Sequence, residues 1–501
     1  MAPAVDRLLA AVDAGEKIVL YGDYDVDGVT SLTLLTRVLR ALGASPACFL
    51  PHRVDEGYGL SEDGITRCLE EYRPALLIAV DCGTTSGAEI AGLTQRGVDV
   101  IVLDHHECGT ELPRCVAVVN PKRGESDHHL CSAGLAFKLA HALLKRRPVA
   151  SFDLRDVLDL VALGTVADLV PLLDENRTLV KHGLQRLAQS CWVGLRALVA
   201  VAGLKPPFLA GTVSFGFGPR LNAAGRLGTA LDSLELLLTD DPARARAIAE
   251  GLDRQNRERR SVEDQVLKEA EAQLAEWFDP AQHAAIVAGS ADWHPGVIGI
   301  VAARLQRRYY RPTVVISFDP EGMGKGSGRS IAGLPLVTAL SECAGDLVRF
   351  GGHAMAAGLS VAQERFTAFR EQFLRVAQQS LASEQLQPAL LLDAEVALRE
   401  VTKDFLTRLE ALEPFGSGHR MPLFFAREVY PAAEPRVLKE KHLSFLLHHR
   451  GWETRAIWFG SAQEALPEPP WDIAFEVTRN EYQGRVTPQI QISALRAAES
   501  C

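Results

Sequence analysis

Carboxylates and imidazoles recur at the ends of apolar runs near the start of this chain, and that pairing limits the chemistry they can do. Asp23, Asp25 and Asp27 fall within five residues, directly after Lys17-Ile18-Val19-Leu20-Tyr21-Gly22. Asp81 follows the run 75–80, and Asp104-His105-His106 follows 98–103. Acids this close repel one another, and burying them is costly unless a cation is bound. Carboxylate oxygens with an imidazole suit Mn²⁺ or Mg²⁺, and a pair of such ions suits phosphoester hydrolysis. Asp168 lies in the otherwise apolar segment 161–171. An ionised acid there must be a metal ligand or a helix cap.

The elements that position these groups are legible from periodicity. Runs of four to six aliphatic residues bounded by Gly and Asp read as buried parallel strands. Ligands gather outside the carboxyl ends of such strands, so the three signatures are expected on one edge of one sheet. Helices are expected over 31–42 and 63–71, and residues 131–240 turn to helical periodicity. Residues 241–278 are charged throughout, with Pro and Gly only at 242 and 251, and read as a long, solvated connecting helix. A second α/β pattern runs from 284 to about 361, followed by a helix-rich tether. Alternating segments at 442–449, 454–459 and 472–477 suggest a small β-barrel or sandwich. The expected units are 1–240, 241–279, 280–362, 363–390 and 391–501.

Composition bounds the function. The net charge of −10 seems hostile to a polyanion, yet residues 1–110 hold 8 Lys/Arg against 17 Asp/Glu, a balance of −9. The excess therefore sits with the acid signatures, while residues 281–360 hold 7 basic and 5 acidic residues, a balance of +2. Charge placement, not the total, decides what can bind. Nine scattered cysteines without a C-x-x-C pair point to free thiols in a reducing cytoplasm. No apolar run approaches the ~18 residues of a membrane helix, and no signal-peptide pattern opens the chain.

Blander readings fail on particular residues. Asp23-Tyr24-Asp25-Val26-Asp27-Gly28 superficially opens an EF-hand loop, but the twelfth position is Leu34 where a bidentate Glu is needed. Asp127-His128-His129 repeats the acid–histidine tripeptide after a polar stretch and is expected to be a surface loop. Gly324-Lys325-Gly326-Ser327-Gly328-Arg329-Ser330 reads as a Gly-rich loop suited to a phosphate, without Walker A spacing. Gly351-Gly352-His353 allows close backbone approach to a ligand.

Taken together, these residues resemble the DHH phosphoesterase superfamily and, within it, the RecJ branch of single-strand-specific exonucleases. The likeness covers residues 22–30, 81–83, 104–106, 164–172, 217–226, 293–300, 325–330, 350–358 and 412–418. It implies an α/β protein: a parallel-sheet DHH domain, a long linking helix, a smaller α/β DHH-associated domain and a C-terminal OB-fold β-barrel. By the same resemblance Asp25, Asp27, Asp81, His105 and Asp168 match metal ligands, with Asp81 as the bridge and Asp23 as a further ligand. His106 matches the contact to the scissile phosphate. Arg53, Arg226, Ser327, Arg329 and His353 fall where the family binds the phosphate backbone and the 5′ end. The implied activity is 5′-to-3′ hydrolysis of single-stranded DNA with two Mn²⁺ or Mg²⁺ ions, in DNA repair and recombination. The implied setting is a cytoplasmic monomer partnered by a single-strand-binding protein and a helicase. Trp452 and Trp458 are candidates for stacking on the strand, with core packing the first reading for both. Two departures accompany the likeness. Only 22 residues precede Asp23, so an incomplete outer layer is expected for the first domain, and His419-Arg420 stands where Asn-Pro is usual.

Overall fold

The computed structural model describes residues 1–51, 59–123, 129–227 and 230–498, without the side chains of residues 226 and 227. Strands β1 (Ile18–Gly22), β2 (Ala47–Phe49), β3 (Leu76–Val80), β4 (Asp99–Leu103) and β5 (Ala117–Val119) form one parallel sheet in the order β2-β1-β3-β4-β5. The strands that carry the acid signatures, β1, β3 and β4, are thus adjacent. Gly22 pairs with Val80 and Val80 with Leu103, so all three signatures leave the sheet at one level.

Helices α1 (Ala2–Ala14), α2 (Val26–Ala41), α3 (Glu62–Tyr72), α4 (Gly87–Gln95), α5 (Ser132–Arg146) and α6 (Leu158–Ala167) cover both faces. One face carries α3 and α4, whose Ile65, Cys68, Ile90 and Leu93 are buried against it. The other carries the remaining four, and this is why β1 and β3 are buried at every residue. The expected gap in the outer layer is absent among the described residues: α1 inserts Ala4, Val5, Leu8 and Ala11 into the core. Helix α2 starts at Val26, earlier than its periodicity suggests, because Asp25 caps it by accepting the Gly28 N–H at 3.0 Å.

Helices α7 (Asp174–Leu187) and α8 (Val193–Ala202) continue this layer, and the chain then enters the helix Pro242–Ala275. Asp241 caps that helix through the N–H groups of Ala243 and Arg244. It is less solvated than its charge suggests. Ala245, Ile248 and Leu252 join the first core, and Val266, Ala270 and Leu274 join a second. The stretch between is buried too, with polar groups matched: Arg220 reaches Asp253 at 2.9 Å, and Arg259 reaches Glu263 at 2.7 Å.

The second sheet comprises β6 (Ile286–Ser290), β7 (Thr313–Phe318), β8 (Met323–Arg329), β9 (Arg349–Gly352) and β10 (Ala356–Ala362), in the order β6-β7-β8-β10-β9. Here the Gly-rich segment is a strand, β8, and not a loop. Its alternate glycines face the core so tightly that a Cβ on Gly324, Gly326 or Gly328 would fall 2.6–2.7 Å from Phe318, Leu359 or Leu336. Lys325, Ser327 and Arg329 therefore share the opposite face.

The C-terminal strands β11 (Ala394–Glu395), β12 (Phe424–Pro431), β13 (Arg436–Leu438), β14 (His442–His449), β15 (Trp452–Trp458), β16 (Trp471–Tyr482) and β17 (Arg485–Ala497) build the last sheet. Pairing of Tyr430 with His448 joins β12 to β14 and closes the barrel. Trp458 packs on the barrel core, whereas Trp452 is exposed. A loop of this unit is seated on the first domain: Leu172 N–H donates to Ser417 O at 2.7 Å. A Cβ on Gly416 would lie 2.7 Å from Leu172, and one on Gly418 would lie 2.9 Å from Pro171. No helix among the described residues is long and apolar enough to cross a membrane.

Close helix packing depends on small residues in the same way. A Cβ on Gly183 of α7 would sit 2.2 Å from the Leu158 carbonyl of α6. Gly183→Ala is expected to lower stability by about 1–3 kcal/mol through overpacking, read by denaturant unfolding. An unchanged midpoint would show that α6 and α7 can separate freely.

Candidate metal centre and cleft

The ends of β1, β3 and β4 meet the start of α2 and the end of α6, and the acids of all five meet with them. Asp23, Asp27 and Asp81 are buried, and Asp168 is the C-cap residue of α6. Asp81 takes a φ of 64°, a left-handed conformation that Asp tolerates better than most residues and that turns its side chain out of the strand direction. Its Oδ1 accepts the Ser132 hydroxyl at 2.8 Å. Asp27 accepts the backbone N–H groups of Ser132 at 2.7 Å and Ala133 at 2.9 Å, so it binds the positive end of α5 as a bound anion would. Gly164 of α6 allows this approach, since a Cβ there would meet Asp27 Oδ1 at 2.6 Å.

His105 sits at the centre. Its Nε2 is buried without a hydrogen bond and lies 3.3 Å from Asp81, 3.5 Å from Asp168 and 3.9 Å from Asp27. Burial and the neighbouring His106 lower its pKa to about 3, so the ring is neutral, the form that ligates metals. Burial, then Asp25, pushes Asp27 up to about 6, and burial, then Asp27, pushes Asp168 up to about 9. Burial, then the charges of Asp27, Asp25 and Asp23, raises Asp81 well above the usual range. A neutral imidazole aimed without a hydrogen bond into a ring of acids fits a divalent cation.

Three groups have ligand atoms close enough to hold one: Asp23 with Asp25 and Asp81, Asp27 with His105 and Asp168, and Asp81 with His105 and His106, each within 4.8 Å. Asp104 plays a different part. It accepts the N–H groups of Thr84 at 3.0 Å and His105 at 2.8 Å, and pairs with His106 Nδ1 at 2.7 Å. Burial lowers the pKa of His106, but the Asp104 hydrogen bond and charge outweigh it and the net shift is upward. Asp104 therefore orients His106, fixing which ring nitrogen carries its proton toward the carboxylate.

The centre opens into a cleft of about 430 Å³ lined by His105, His106, Lys122, Asp168, Leu169 and, from the second sheet's side, His353. Ser327 and Arg329 lie together on β8, where Arg329 donates to Ser327 Oγ at 3.1 Å.

Three family models match this chain: the DHH family N-terminal domain over residues 17–165, the DHHA1 domain over 282–379, and the RecJ OB domain over 392–494. The single-stranded-DNA-specific exonuclease RecJ of Dickeya dadantii is 36% identical over 98% of this chain and 89% of its own length. The chain belongs to the RecJ family. The RecJ of Bacillus subtilis is also 36% identical, over all of this chain, which spans 64% of that relative's length. The crystal structure of RecJ in complex with Mn²⁺ from Thermus thermophilus superposes with a TM-score of 0.85 at 34% identity, covering 99% of this chain and 71% of that one.

Against the RecJ expectation, the structure brings Asp23, Asp25, Asp27, Asp81, His105, His106 and Asp168 together and sets His353 at the cleft wall. Arg53 and the Arg226 side chain lie outside the described residues. The repeated tripeptide is partly outside them as well, but its last member, His129, is exposed and lines the same cleft. Asp104, Thr84, Ser132 and Asn120 were not picked out as supports by sequence reasoning. Asn120 donates to Thr84 Oγ1 at 3.0 Å and to His106 O at 2.9 Å. The acid directly before the two histidines was the available signal for Asp104.

The shifts set a pH dependence. Asp168, Asp81 and His106 have raised pKa values in the folded protein. Above the unfolded His value of about 6.5 the neutral His105 no longer opposes them, and the folded state holds more protons than the unfolded one. Metal-free protein is therefore expected to lose stability as pH rises from about 6.5 to 9, and Mn²⁺ to raise the Tm more at the upper end. Calorimetric scans with and without the ion check this; a metal-free Tm that climbs through that window contradicts the buried-acid assignment.

Proposed function

We propose that this chain is a metal-dependent exonuclease that hydrolyses single-stranded DNA from the 5′ end, releasing 5′-mononucleotides, with two Mn²⁺ or Mg²⁺ ions as cofactors. The observation that carries this reading is the sharing of ligands. Asp81 belongs to two of the three ligand groups and so does His105, which allows neighbouring ions to be held by common residues. In this reading Asp23, Asp25, Asp27, Asp81, His105 and Asp168 hold the ions, with Asp81 as the bridge. Bound divalent ions supply an activated water and neutralise charge on the phosphate. His106, oriented by Asp104, contacts the scissile phosphate and stabilises the charge that develops there.

Ser327 and Arg329 bind the 5′-terminal phosphate, with His353, Arg53 and Arg226 along the backbone. Support for the first pair comes from their setting beside Gly299 in the first turn of the helix Ile298–Tyr309, whose backbone N–H groups favour anions. A Cβ on Gly299 would lie 2.9 Å from Ser327 Oγ and 3.3 Å from Arg329 Nη2, so the backbone there is within reach of the same ligand. The guanidinium remains charged although burial lowers its pKa. Residues 1–240 then hydrolyse, 241–279 link, 280–362 bind the terminal phosphate, 363–390 tether, and 391–501 hold the incoming strand. A monomeric cytoplasmic enzyme of repair and recombination, working with a single-strand-binding protein and a helicase, belongs to the same proposal.

End-labelled single-stranded and duplex DNA, incubated with Mn²⁺ or Mg²⁺, tests polarity and strand choice. Label is expected to leave 5′-labelled single strands first, as mononucleotide; degradation from 3′ ends contradicts the reading. Asp81→Ala is expected to abolish hydrolysis with unchanged circular dichroism, and substantial Mn²⁺-dependent turnover in that variant would exclude the bridge. Arg329→Ala is expected to lower activity by ~10-fold on 5′-phosphorylated strands and much less on 5′-hydroxyl strands. Equal losses on both would remove Arg329 from the terminal site.

A further inference from the structure

Directly after the acid Asp168, Leu169 adopts a φ of 61° and is 67% exposed. A leucine side chain rarely takes a left-handed conformation, and here it also gives up burial. Strain of this kind persists where the surroundings enforce it, and it clusters at ligand clamps. The enforcement is visible next along the chain, where Leu172 bonds to Ser417 and Pro171 and Leu172 are pressed by Gly418 and Gly416.

A second unusual side chain faces the same space. Phe215 is 76% exposed in the middle of the π-helical turn Val213–Phe217, while Val213 and Phe217 at its ends are fully buried. Such wide turns are rare and recur at functional sites. Both ends are anchored in the core, so the turn presents Phe215 outward on a firm base.

Leu169 and Phe215 line one hollow of about 210 Å³ with Val170, Ser214, Phe415 and Ser417. Leu169 and Val170 also line the metal cleft, so the hollow opens directly from it. It lies toward the barrel loop, away from His353 and the second sheet. Its walls are apolar, with no charged side chain among the described lining residues.

We propose that Leu169 and Phe215 form an apolar clamp for the base of the nucleotide on the 3′ side of the scissile phosphate. The proposal rests on the nuclease reading above, in which the 5′ phosphate is held on the opposite wall by Ser327 and Arg329. The strand then leaves the metal centre past Leu169. A single base has a free π-face, and apolar or aromatic contact with that face tolerates any sequence. A paired base has its faces stacked and its edges bonded, so it must be unpaired before it can enter. The clamp thus selects unpaired DNA at the bond being cut, in addition to any selection by the width of the cleft.

The test uses the full chain and 5′-phosphorylated oligonucleotides, either intact or with one abasic site at the second nucleotide. For the unaltered protein the abasic site is expected to lower kcat/KM for the first cleavage by ~10-fold. Phe215→Ala is expected to lower kcat/KM on the intact strand to a similar extent, mainly through KM, and to make the abasic site nearly neutral. Phe215→Trp should retain activity. Leu169→Gly keeps the backbone conformation and should behave like Phe215→Ala. Mn²⁺ binding by calorimetry should match the unaltered protein in each variant, which separates loss of the clamp from damage to Asp168.

If the Phe215→Ala and abasic losses multiply, the two act independently and the clamp is overturned. Equal cleavage of intact and abasic strands by the unaltered protein also overturns it and leaves the nuclease reading standing. No cleavage of the intact strand overturns both. If Phe215→Ala changes only self-association in sedimentation, the hollow is a protein contact and the clamp is wrong.

Discussion

Four carboxylates share a space where each one, by its charge, opposes ionisation of the others, and the surrounding architecture can be read as a set of answers to that repulsion. Asp27 faces the amino end of α5, whose two N–H groups point at it. Asp81 takes a hydroxyl from the same turn, through Ser132. The neutral ring of His105 fills the middle. These partners soften the repulsion without removing it, because Asp168 and Asp81 still lie far above the usual carboxylate range. A low-dielectric pocket that stays this hostile to negative charge stores a strong preference for cations.

The parallel sheet was legible because its aliphatic runs have no other plausible fate than burial between helices. The barrel strands were legible from their alternation, and 442–449 coincides with β14. Elsewhere local chemistry misled. Glycines at every second position read as a loop, since their reason, the bulk of Phe318, Leu359 and Leu336 on facing elements, is tertiary. The acids at 25 and 27 read as ligands alone, although they also begin α2, so its start fell five residues early of the periodic estimate. Charge along 242–275 suggested a solvated strut, because pairing of Arg259 with Glu263 and of Arg220 with Asp253 is invisible until the helices are docked.

Of the candidate site, the groups that touch one another across the sheet edge were within reach of sequence, since each follows a strand. Groups that act by holding those were not. Asp104, Ser132 and Asn120 are common residue types in common settings, and only the fold gives them their partners. His129 is the converse: a polar segment brings it to the cleft from a stretch with no strand to announce it. Leu169 and Phe215 escaped for a further reason. Apolar residues in apolar segments signal a core, and nothing in their spacing says that the backbone turns them outward.

The seating of the barrel loop on residues 171–173 has a consequence for how such a protein can change over evolutionary time. The contact is made backbone to backbone, with Gly416 and Gly418 leaving no room for a side chain on one partner and Pro171 and Leu172 filling the space on the other. Next to it, His419 stacks on Phe415 with ring centroids 5.3 Å apart, and Arg420 pairs with Asp393 at 2.8 Å. The barrel is therefore a poor candidate for exchange as an independent module. A recombinant that took its last unit from a distant relative would inherit a foreign loop against the segment that carries Asp168. Its inheritance should be tied to that of the short stretch after α6, so the unit of descent runs across the boundary between the two folds.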